Sequence, residues 1–432
     1  MHLKVRKRLL LGVLITSLLV LSVACSNESE SETANKSKDG KMVWVGWSGE
    51  EETFKPIIQN MIQDWNKDNP DHNVEWVGWP WAEALQQMII RTQGGENIDV
   101  GQIDIAWLQT LADTGKLVDL NTVFDEQWLK ENIQESYLES GQIDGKQVGI
   151  PWTLASIGMV NNPSLLEKAG VTETPKTIEE FEKALKKLKE SNPDVIPYAL
   201  TTKDAGSVSG DFQAWLWTFG GEVFDEEGNV TINSPEGVQT LEWLKSLKDQ
   251  GYIKMDMSRF DARELFAQNK VGFYDDAVLA KSILKSSGVS DDELNERIQP
   301  MLRPVLNEED QPQSKLWGHM LVIFDNANNK EKAAEFIKHL ISKEQSVRYF
   351  EEGGLLPVIN SALESEAVQQ DEFSKNWAEI TKAGRPSNVQ KFNQSSEIDT
   401  IITEEIQAAL LDGKTAQEAL DNAASRIEST LN

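Results

Sequence analysis

Tryptophans that stand beside carboxylate and amide side chains are the residues in this sequence best suited to chemistry. The chain has 14 tryptophans against 5 tyrosines, and three of the tryptophans fall within WVGWPW, from Trp76 to Trp81. An indole has a large apolar face and one polar edge, so it either fills a core or offers a flat surface to a ligand. The pattern is therefore a hint of ligand binding, and the elements that carry the rings must be considered next.

Strands and helices alternate along the first part of the chain. Short β-rich runs at 41–47, 72–79 and 103–107 are each followed by a segment with apolar residues at helical spacing. In the first of these segments Pro70 marks the end of the helical pattern. This alternation through short turns predicts a doubly wound parallel sheet, in which ligands bind beyond the carboxyl ends of the strands.

The tryptophans differ in where they lie on these elements. Four of them fall at the predicted carboxyl edge: Trp47, Trp79, Trp81 and Trp107. Trp76 lies inside a strand, where it alternates with Val74, so we assign it to packing. Trp79 and Trp81 flank Pro80 in a turn and are better placed for a ligand, although both rings could instead plug the top of the sheet.

Six stretches of the chain share their order and spacing with one known protein family. They are DIAWLQTLADTGKLVDL, GQIDGKQVGIPWTLASIGMVNNPSLLEKAGV, TPKTIEEFEKALKKLKE, LWTFGGEVFDEEGN, NKEKAAEFIKHLISKEQSVRYFEEGGLLPVINSA and LLDGKTAQEALDNAASRIEST. Through them the chain, from about residue 41 to the C-terminus, resembles the extracellular solute-binding proteins that deliver sugars to bacterial ABC importers. No single stretch is decisive, but their common order makes the resemblance specific.

The resemblance implies an α/β, two-lobed fold like that of periplasmic binding proteins. Each lobe would be a doubly wound sheet flanked by helices, and crossing segments near 151–155, 313–317 and 357–361 would form the hinge. The expected lobes are 41–152 plus 316–358, called the N-terminal lobe, and 153–315 plus 359–432, called the C-terminal lobe. Closure of the two lobes around a sugar would then signal to a permease.

Two segments depart from the family pattern. Asn161, Asn162 and Pro163 stand where the family commonly reads Tyr-Asn-Lys. In YDDAV, 274–278, Asp275 and Asp276 stand where many sugar binders have a glycine and a tryptophan. We therefore expect these carboxylates to favour hydrogen bonds to hydroxyl groups over stacking.

The resemblance implies a carbohydrate ligand, and the residue types agree with it. A pyranose has an apolar C–H face and a rim of hydroxyls, so its complement is an aromatic plane with polar side chains at the edge. The candidate ligand-binding residues are Trp47, Glu50, Glu51, Trp79, Trp81, Trp107, Trp152, Ser156, Asp211, Trp215, Asp275, Asp276, Trp317 and His319. Core packing is the alternative for each tryptophan, and we prefer it for Trp217, Trp243 and Trp377. For His319 the alternative is a hydrogen-bonded structural role.

Catalysis is the main alternative to binding. Seventy Asp and Glu residues make a pair of glycosidase carboxylates easy to imagine, but abundance does not place two of them together. The sequence has no Gly-x-Ser-x-Gly, His-Glu-x-x-His, phosphate-loop or calcium-loop motif. We expect no enzyme activity, no cofactor and no metal. A surface sensor or adhesin with the same fold stays open as a third possibility.

The N-terminus predicts export. Four basic residues within 4–8 precede an apolar run from Leu9 to Val23, which is the layout of a secretory signal over 1–24. Cys25, the only cysteine, follows Ala24 and resembles the acylated cysteine of bacterial lipoproteins, although Ser22 departs from that pattern. An uncleaved membrane anchor helix is the alternative. The polar segment 25–40 lacks aromatic and branched aliphatic residues, so we expect a flexible linker.

Charge limits the partners. Loss of 1–24 removes four basic and no acidic residues, which leaves 38 Lys and Arg against 70 Asp and Glu. Such a surface repels phosphate backbones, so nucleic acid is not expected as a partner. We expect a monomer on the extracytoplasmic face of the cell membrane, lipid-anchored through Cys25, with a carbohydrate and ABC permease subunits as partners.

Overall fold

The structure, a computed structural model, describes residues 41–431, all of which belong to one compact unit. The predicted signal segment 1–24, the predicted linker 25–40 and the predicted acylation site Cys25 lie outside the described residues. Within the described part, no helix is both long enough and apolar enough to cross a membrane.

The strands form one continuous sheet and a small hairpin. They are β1 Met42–Gly46, β2 Val74–Gly78, β3 Val100–Asp104, β4 Gln142–Ile143, β5 Lys146–Gln147, β6 Ile150–Asn161, β7 Ile196–Ala199, β8 Val271–Asp276, β9 Gln299–Met301, β10 Ser314–Ile323 and β11 Gly384–Arg385. In the large sheet the order is β2-β1-β3-β10-β6-β8-β7, with β11 beside β10 and β9 beside β6. β4 pairs with β5 in the hairpin. As predicted, β1 runs parallel to both β2 and β3.

Helices follow most of the strands. They are α1 Lys55–Asp68, α2 Trp81–Gln93, α3 Leu108–Asp113, α4 Glu126–Asn132, α5 Glu135–Glu139, α6 Pro163–Lys168, α7 Ile178–Ser191, α8 Ala205–Thr218, α9 Pro235–Asp249, α10 Arg259–Ala267, α11 Ala280–Ser286, α12 Asp291–Arg297, α13 Lys330–Leu340, α14 Lys343–Gly353, α15 Asn360–Leu363, α16 Glu366–Gln370, α17 Glu372–Lys382, α18 Ser395–Leu410 and α19 Ala416–Leu431.

The strand β6 connects the two halves of the sheet. It pairs with β10 up to Ile157, and from Gly158 onward it pairs with β8. Every residue of β6 except Ile157 is buried, because the strand is covered on both faces. The change of partner falls just beyond the predicted crossing segment 151–155. A bridge between Thr153 and Pro357 adds the third chain segment at this junction.

Helices cover both faces of each half, which confirms the predicted fold class. Along β1, Trp44 joins the core under α1 and α13, and its neighbour Val45 joins the core under α2 and α3. In the other half, the ring of Phe273 lies 5.0 Å from Phe181 of α7, and Tyr274 lies 4.8 Å from Phe266 of α10. Alternate residues of a strand point to opposite faces, so both faces carry a core. The residue bounds given above for the two lobes stay a prediction.

The third strand ends earlier than the sequence pattern predicts. β3 stops at Asp104, and Ile105–Trp107 form a single turn of 3-10 helix rather than the strand expected over 103–107. The Asp104 carboxylate accepts a hydrogen bond from the backbone N–H of Ala106 at 2.9 Å, which caps that turn.

Capping also sets the start of α10. The Ser258 hydroxyl accepts from the backbone N–H of Asp261 at 3.0 Å, and the Asp261 carboxylate accepts from that of Ser258 at 2.9 Å. This reciprocal pair satisfies two N–H groups that a helix start leaves unbonded. It begins the helix at Arg259 and so places Arg259, Phe260 and Arg263 in its first turns.

Candidate ligand-binding cleft

A cavity of about 530 Å³ lies beyond the carboxyl ends of β1, β2 and β3 in one half and of β7 and β8 in the other. Its walls come from the segment after β1, the start of α2, the turn after β3, and from α8, α10, β10 and α18. This is the place that a doubly wound sheet predicts for a ligand. Seven of the predicted site residues line it: Trp47, Glu51, Trp81, Trp107, Asp211, Trp317 and His319.

Indole rings form one wall of the cavity. The rings of Trp47 and Trp107 meet edge to face at 5.1 Å, and those of Trp81 and Trp107 lie 5.6 Å apart. The ring of Trp317 lies 4.7 Å from His319. A Cβ atom at Gly206 of α8 would lie 3.2 Å from the Trp81 ring, so this aromatic wall extends to the other half of the protein.

The buried carboxylate of Asp104 lies beside two of these rings. It accepts a hydrogen bond from the backbone N–H of Ala106 at 2.9 Å. Burial raises the pKa of Asp104, while this hydrogen bond, the charge of Lys315 and the nearby indole groups of Trp81 and Trp317 oppose the rise. The carboxylate therefore belongs to the same wall of the cavity as the indole rings.

His319 is buried and neutral. Its Nδ1 lies 3.1 Å from the Gln102 side-chain amide nitrogen, which also donates to the Ser48 hydroxyl at 2.6 Å. An amide nitrogen only donates, so Nδ1 accepts and the ring proton is on Nε2. Burial lowers the pKa of His319 to about 3. His319 therefore makes a structural hydrogen bond, as the alternative prediction had it, and also lines the cavity.

Two arginines of α10 that line the cavity form ion pairs with carboxylates. Arg259 donates to the Asp211 carboxylate at 2.8 Å, and Arg263 donates to both oxygens of Asp276 at 2.9 and 2.7 Å. Across from Arg263, burial raises the pKa of Glu51 to about 7, and the Arg263 charge opposes that rise.

A further pair of charged residues, Asp399 and Lys315, lines the cavity. Asp399 of α18 accepts from the Ser209 hydroxyl at 2.6 Å, and burial raises its pKa while the charge of Lys315 lowers it. Lys315 passes Gly210 so closely that a Cβ atom there would lie 2.9 Å from Nζ. The Lys315 ammonium therefore interacts with the carboxylates of both Asp104 and Asp399. Within residues 41–431, no group of three or more His, Cys, Asp or Glu side chains is placed to hold a metal ion.

Comparison with known proteins decides the family. Residues 48–347, more than half of the chain, match the model of the family described as bacterial extracellular solute-binding protein. The chain belongs to this family. The family consists of extracellular solute-binding proteins, in agreement with the resemblance noted in the sequence.

Individual relatives are distant. This solute-binding protein is 25% identical over 287 residues to the diacetylchitobiose binding protein DasA of Streptomyces coelicolor, covering 62% of this chain and 63% of DasA. It is 27% identical over 280 residues to a carbohydrate ABC transporter substrate-binding protein of Streptococcus pneumoniae, covering 62% and 55% of the two chains.

Solved structures match nearly the whole fold. The maltose-bound MalE3 of T. maritima has a TM-score of 0.80 at 22% identity, covering 90% of this chain and 99% of that one. A solute-binding protein of Thermotoga lettingae bound with α-D-tagatose has a TM-score of 0.79 at 20% identity, covering 91% and 100%. Both likenesses establish the two-lobed architecture.

The family departure at YDDAV has a different consequence from the one expected. Asp275 and Asp276 are 1% and 0% exposed. Asp275 is paired with Arg303 and accepts from the Tyr198 hydroxyl, and Asp276 is paired with Arg263. Neither carboxylate lines the cavity, because the oxygens of both are bound by neighbouring side chains.

Three other predicted site residues lie in the core of this solute-binding protein. Trp152 stacks flat on Tyr349 at 4.3 Å, and Trp215 packs against Phe181 beneath the Arg303 guanidinium. Ser156 is fully buried in β6. None of these three residues lines the cavity, so the structure does not bring them together with the other predicted site residues. Trp217, Trp243 and Trp377 are buried as well, in agreement with the preference for packing.

Trp79 and Glu50 do not line the cavity either. The backbone N–H of Trp79 donates to the carbonyl of Gly46 and so continues the β1–β2 ladder, and its ring lies 5.0 Å from the Arg91 guanidinium of α2. Glu50 accepts from the indole N–H of Trp76 at 3.0 Å. Trp76 itself meets Trp44 edge to face at 4.9 Å, so its predicted packing role agrees with the structure.

Sequence reasoning missed several residues of the cavity wall. They are Asp104, Lys203, Arg259, Phe260, Arg263, Lys315 and Asp399. Asp104 could have been found, because it lies in the predicted strand 103–107, three residues before Trp107. The α10 residues carried no such signal, since their helix starts far from any tryptophan in the sequence.

Proposed function

We propose that this solute-binding protein captures a mono- or oligosaccharide in the cavity and delivers it to an ABC importer permease. The observation that carries the proposal is the aromatic wall, in which the rings of Trp47, Trp81 and Trp107 meet one another at 5.1 and 5.6 Å along the cavity. Fixed indole faces with hydrogen-bonding groups at their edges are the complement of a sugar. Relatives whose names refer to diacetylchitobiose and carbohydrate transport support the same ligand class.

The proposed site is smaller than the sequence prediction. Its residues are Trp47, Glu51, Trp81, Trp107, Asp211, Trp317 and His319, together with Asp104 and Lys315. The cavity volume of about 530 Å³ falls in the range typical of small-molecule sites. The sugar is bound without being chemically altered. Closure of the two lobes about β6, β10 and the segment near 357–361 would bury it. No cofactor takes part.

A thermal-shift screen tests the proposed ligand class. The purified protein is heated with each member of a panel of neutral mono- and oligosaccharides, since a ligand that binds only the folded state raises the melting temperature. At a free concentration 100 times the dissociation constant, binding adds about 2.7 kcal/mol to the free energy of unfolding. The sugar is then incubated with the protein for many hours and analysed by chromatography. Recovery of unaltered sugar supports binding, whereas product formed in proportion to the amount of protein would support a glycosidase.

Anchoring is a separate part of the proposal. The protein would be a monomer held at the outer face of the membrane by acyl chains on Cys25, after removal of residues 1–24. Acyl chains and not folded contacts would hold it there. Cys25→Ala should therefore move the protein from the membrane fraction to the soluble fraction with unchanged sugar binding. Persistence of this variant in the membrane pellet would refute the lipid anchor.

A further inference from the structure

Phe260 is an exposed aromatic ring inside the cavity. It lies in the first turn of α10, lines the cavity and is 45% exposed. The other large exposed hydrophobic side chains among residues 41–431 are Ile90, Leu302, Leu306 and Leu411. None of those four lines the cavity. A ligand that covers an apolar ring exposed in a cleft removes that surface from water, which favours binding.

Two arginines of the same helix line the cavity with this ring. The Arg263 guanidinium lies 5.2 Å from the centre of the Phe260 ring and is bound along one edge by Asp276. Arg259 bonds to the Asp211 carboxylate and to the backbone carbonyl of Asp275. A guanidinium has five N–H donors, so each arginine keeps donors beyond those used by its protein partners. Both arginines line the cavity, where those donors can serve a ligand.

The charge around these donors is balanced by acids. Each arginine is paired with a buried carboxylate, that of Asp211 or Asp276. The full lining has five acidic residues, Glu51, Asp104, Asp204, Asp211 and Asp399, against four basic ones, Lys203, Arg259, Arg263 and Lys315. The cavity therefore offers N–H donors without excess positive charge, which suits hydroxyl oxygens and disfavours a carboxylate or phosphate.

We propose that Phe260, Arg259 and Arg263 form a second half of the ligand site and select an uncharged saccharide. One sugar ring would place its C–H face on Phe260, and its hydroxyl oxygens would accept from the two guanidinium groups. This inference rests on the proposed function of the cavity. The buried carboxylate of Asp276 pairs with Arg263 and so holds that guanidinium beside Phe260.

The test uses titration calorimetry of the full processed protein against neutral saccharides and their uronate and 6-phosphate counterparts. We expect the wild type to bind a neutral saccharide at least about 100-fold more tightly than the matching uronate or phosphate. Phe260→Leu, which keeps an apolar side chain but no ring, should weaken that binding about tenfold or more, as loss of a buried hot-spot contact does. Phe260→Tyr should stay within about threefold of the wild type because it keeps the ring face.

Controls separate the possible failures. Ile90→Ala, at a side chain that is 54% exposed away from the cavity, should bind like the wild type, and the melting temperatures of all variants should agree. Wild-type binding that Phe260→Leu leaves unchanged would overturn the inference and leave the proposed function standing. Preferred binding of an acidic sugar would overturn the selection of uncharged ligands. Failure of the wild type to bind any saccharide would overturn the proposed function and this inference together.

Discussion

Both carboxylate oxygens of Asp276 accept hydrogen bonds from the guanidinium of Arg263, at 2.9 and 2.7 Å. Asp276 is fully buried and the Arg263 side chain is 11% exposed, so the pair lies largely out of water. Removal of one partner from such a pair leaves an uncompensated charge inside the protein. The pair therefore ties the end of β8 to α10 and holds Arg263 at the cavity wall.

Asp276→Asn should destabilise the fold. We expect a loss of about 3 to 5 kcal/mol in the free energy of unfolding, measured by urea denaturation. Glu179→Gln is the matched control: both it and its partner Lys183 are exposed, and loss of that surface pair should leave the urea midpoint nearly unchanged. An Asp276→Asn variant as stable as the wild type but weak in sugar binding would restore the original expectation that this carboxylate faces the ligand.

Trp81 and Trp79 should behave differently although they are two residues apart. Trp81→Ala should weaken binding of the saccharide found in the screen by about 1 to 3 kcal/mol, because a stacked ring in a desolvated site is typically a hot spot. Trp79→Ala serves as the control, since its ring lies against Arg91 and outside the cavity. Calorimetric titration of both variants measures the contrast. Equal loss of affinity in the two would contradict the assignment.

His319 should make the fold sensitive to acid. The pKa of this imidazole is about 3 in the folded protein against 6.5 for an unperturbed histidine, so below pH 6.5 the unfolded chain binds a proton that the folded protein does not. Stability is therefore lost as pH falls from 6.5 toward 3, by about 2 kcal/mol between pH 6.5 and 5. Urea denaturation at pH 7 and pH 5 measures this loss.

His319→Gln is the variant that isolates this effect, since glutamine has no titrating group but keeps an oxygen that can accept from Gln102. Its loss of stability between pH 7 and 5 should be smaller than that of the wild type by about 2 kcal/mol. Identical pH dependence in the two proteins would show that the ring takes up no proton on unfolding.

Glu51 should make sugar binding depend on pH near neutrality. Its pKa is raised to about 7 by burial, with Arg263 lowering it and Asp276 raising it further. A ligand that displaces water from this carboxyl raises the pKa again, so binding takes up a proton and affinity falls as pH rises from 6 to 8. Titrations across this range should show a fall of about three- to tenfold in the wild type. In Glu51→Gln the affinity should be flat, and a persisting slope would assign the proton to another group.

The alternation of strands and helices in the first part of the chain, and the edge of the sheet at which the cavity lies, could be predicted from the sequence. The apolar residues of β1, β2 and the helices after them recur with periods that depend only on local backbone geometry. Strand–helix alternation then leaves few topologies, and these put a ligand at the carboxyl edge, where Trp47, Trp81 and Trp107 line the cavity. Local pattern was sufficient here because each of these features repeats along neighbouring residues.

The direction and partners of individual side chains were decided only by the tertiary structure. Trp79 continues a strand ladder and does not line the cavity, whereas Trp81 begins a helix and its ring packs in the cavity wall against Trp107, 26 positions later in the sequence. Asp275 forms an ion pair with Arg303, and Asp276 forms one with Arg263 of α10. Phe260 lines the cavity because a capping pair starts α10 beside it. Such placements depend on contacts between distant segments, and no local periodicity encodes which segments meet.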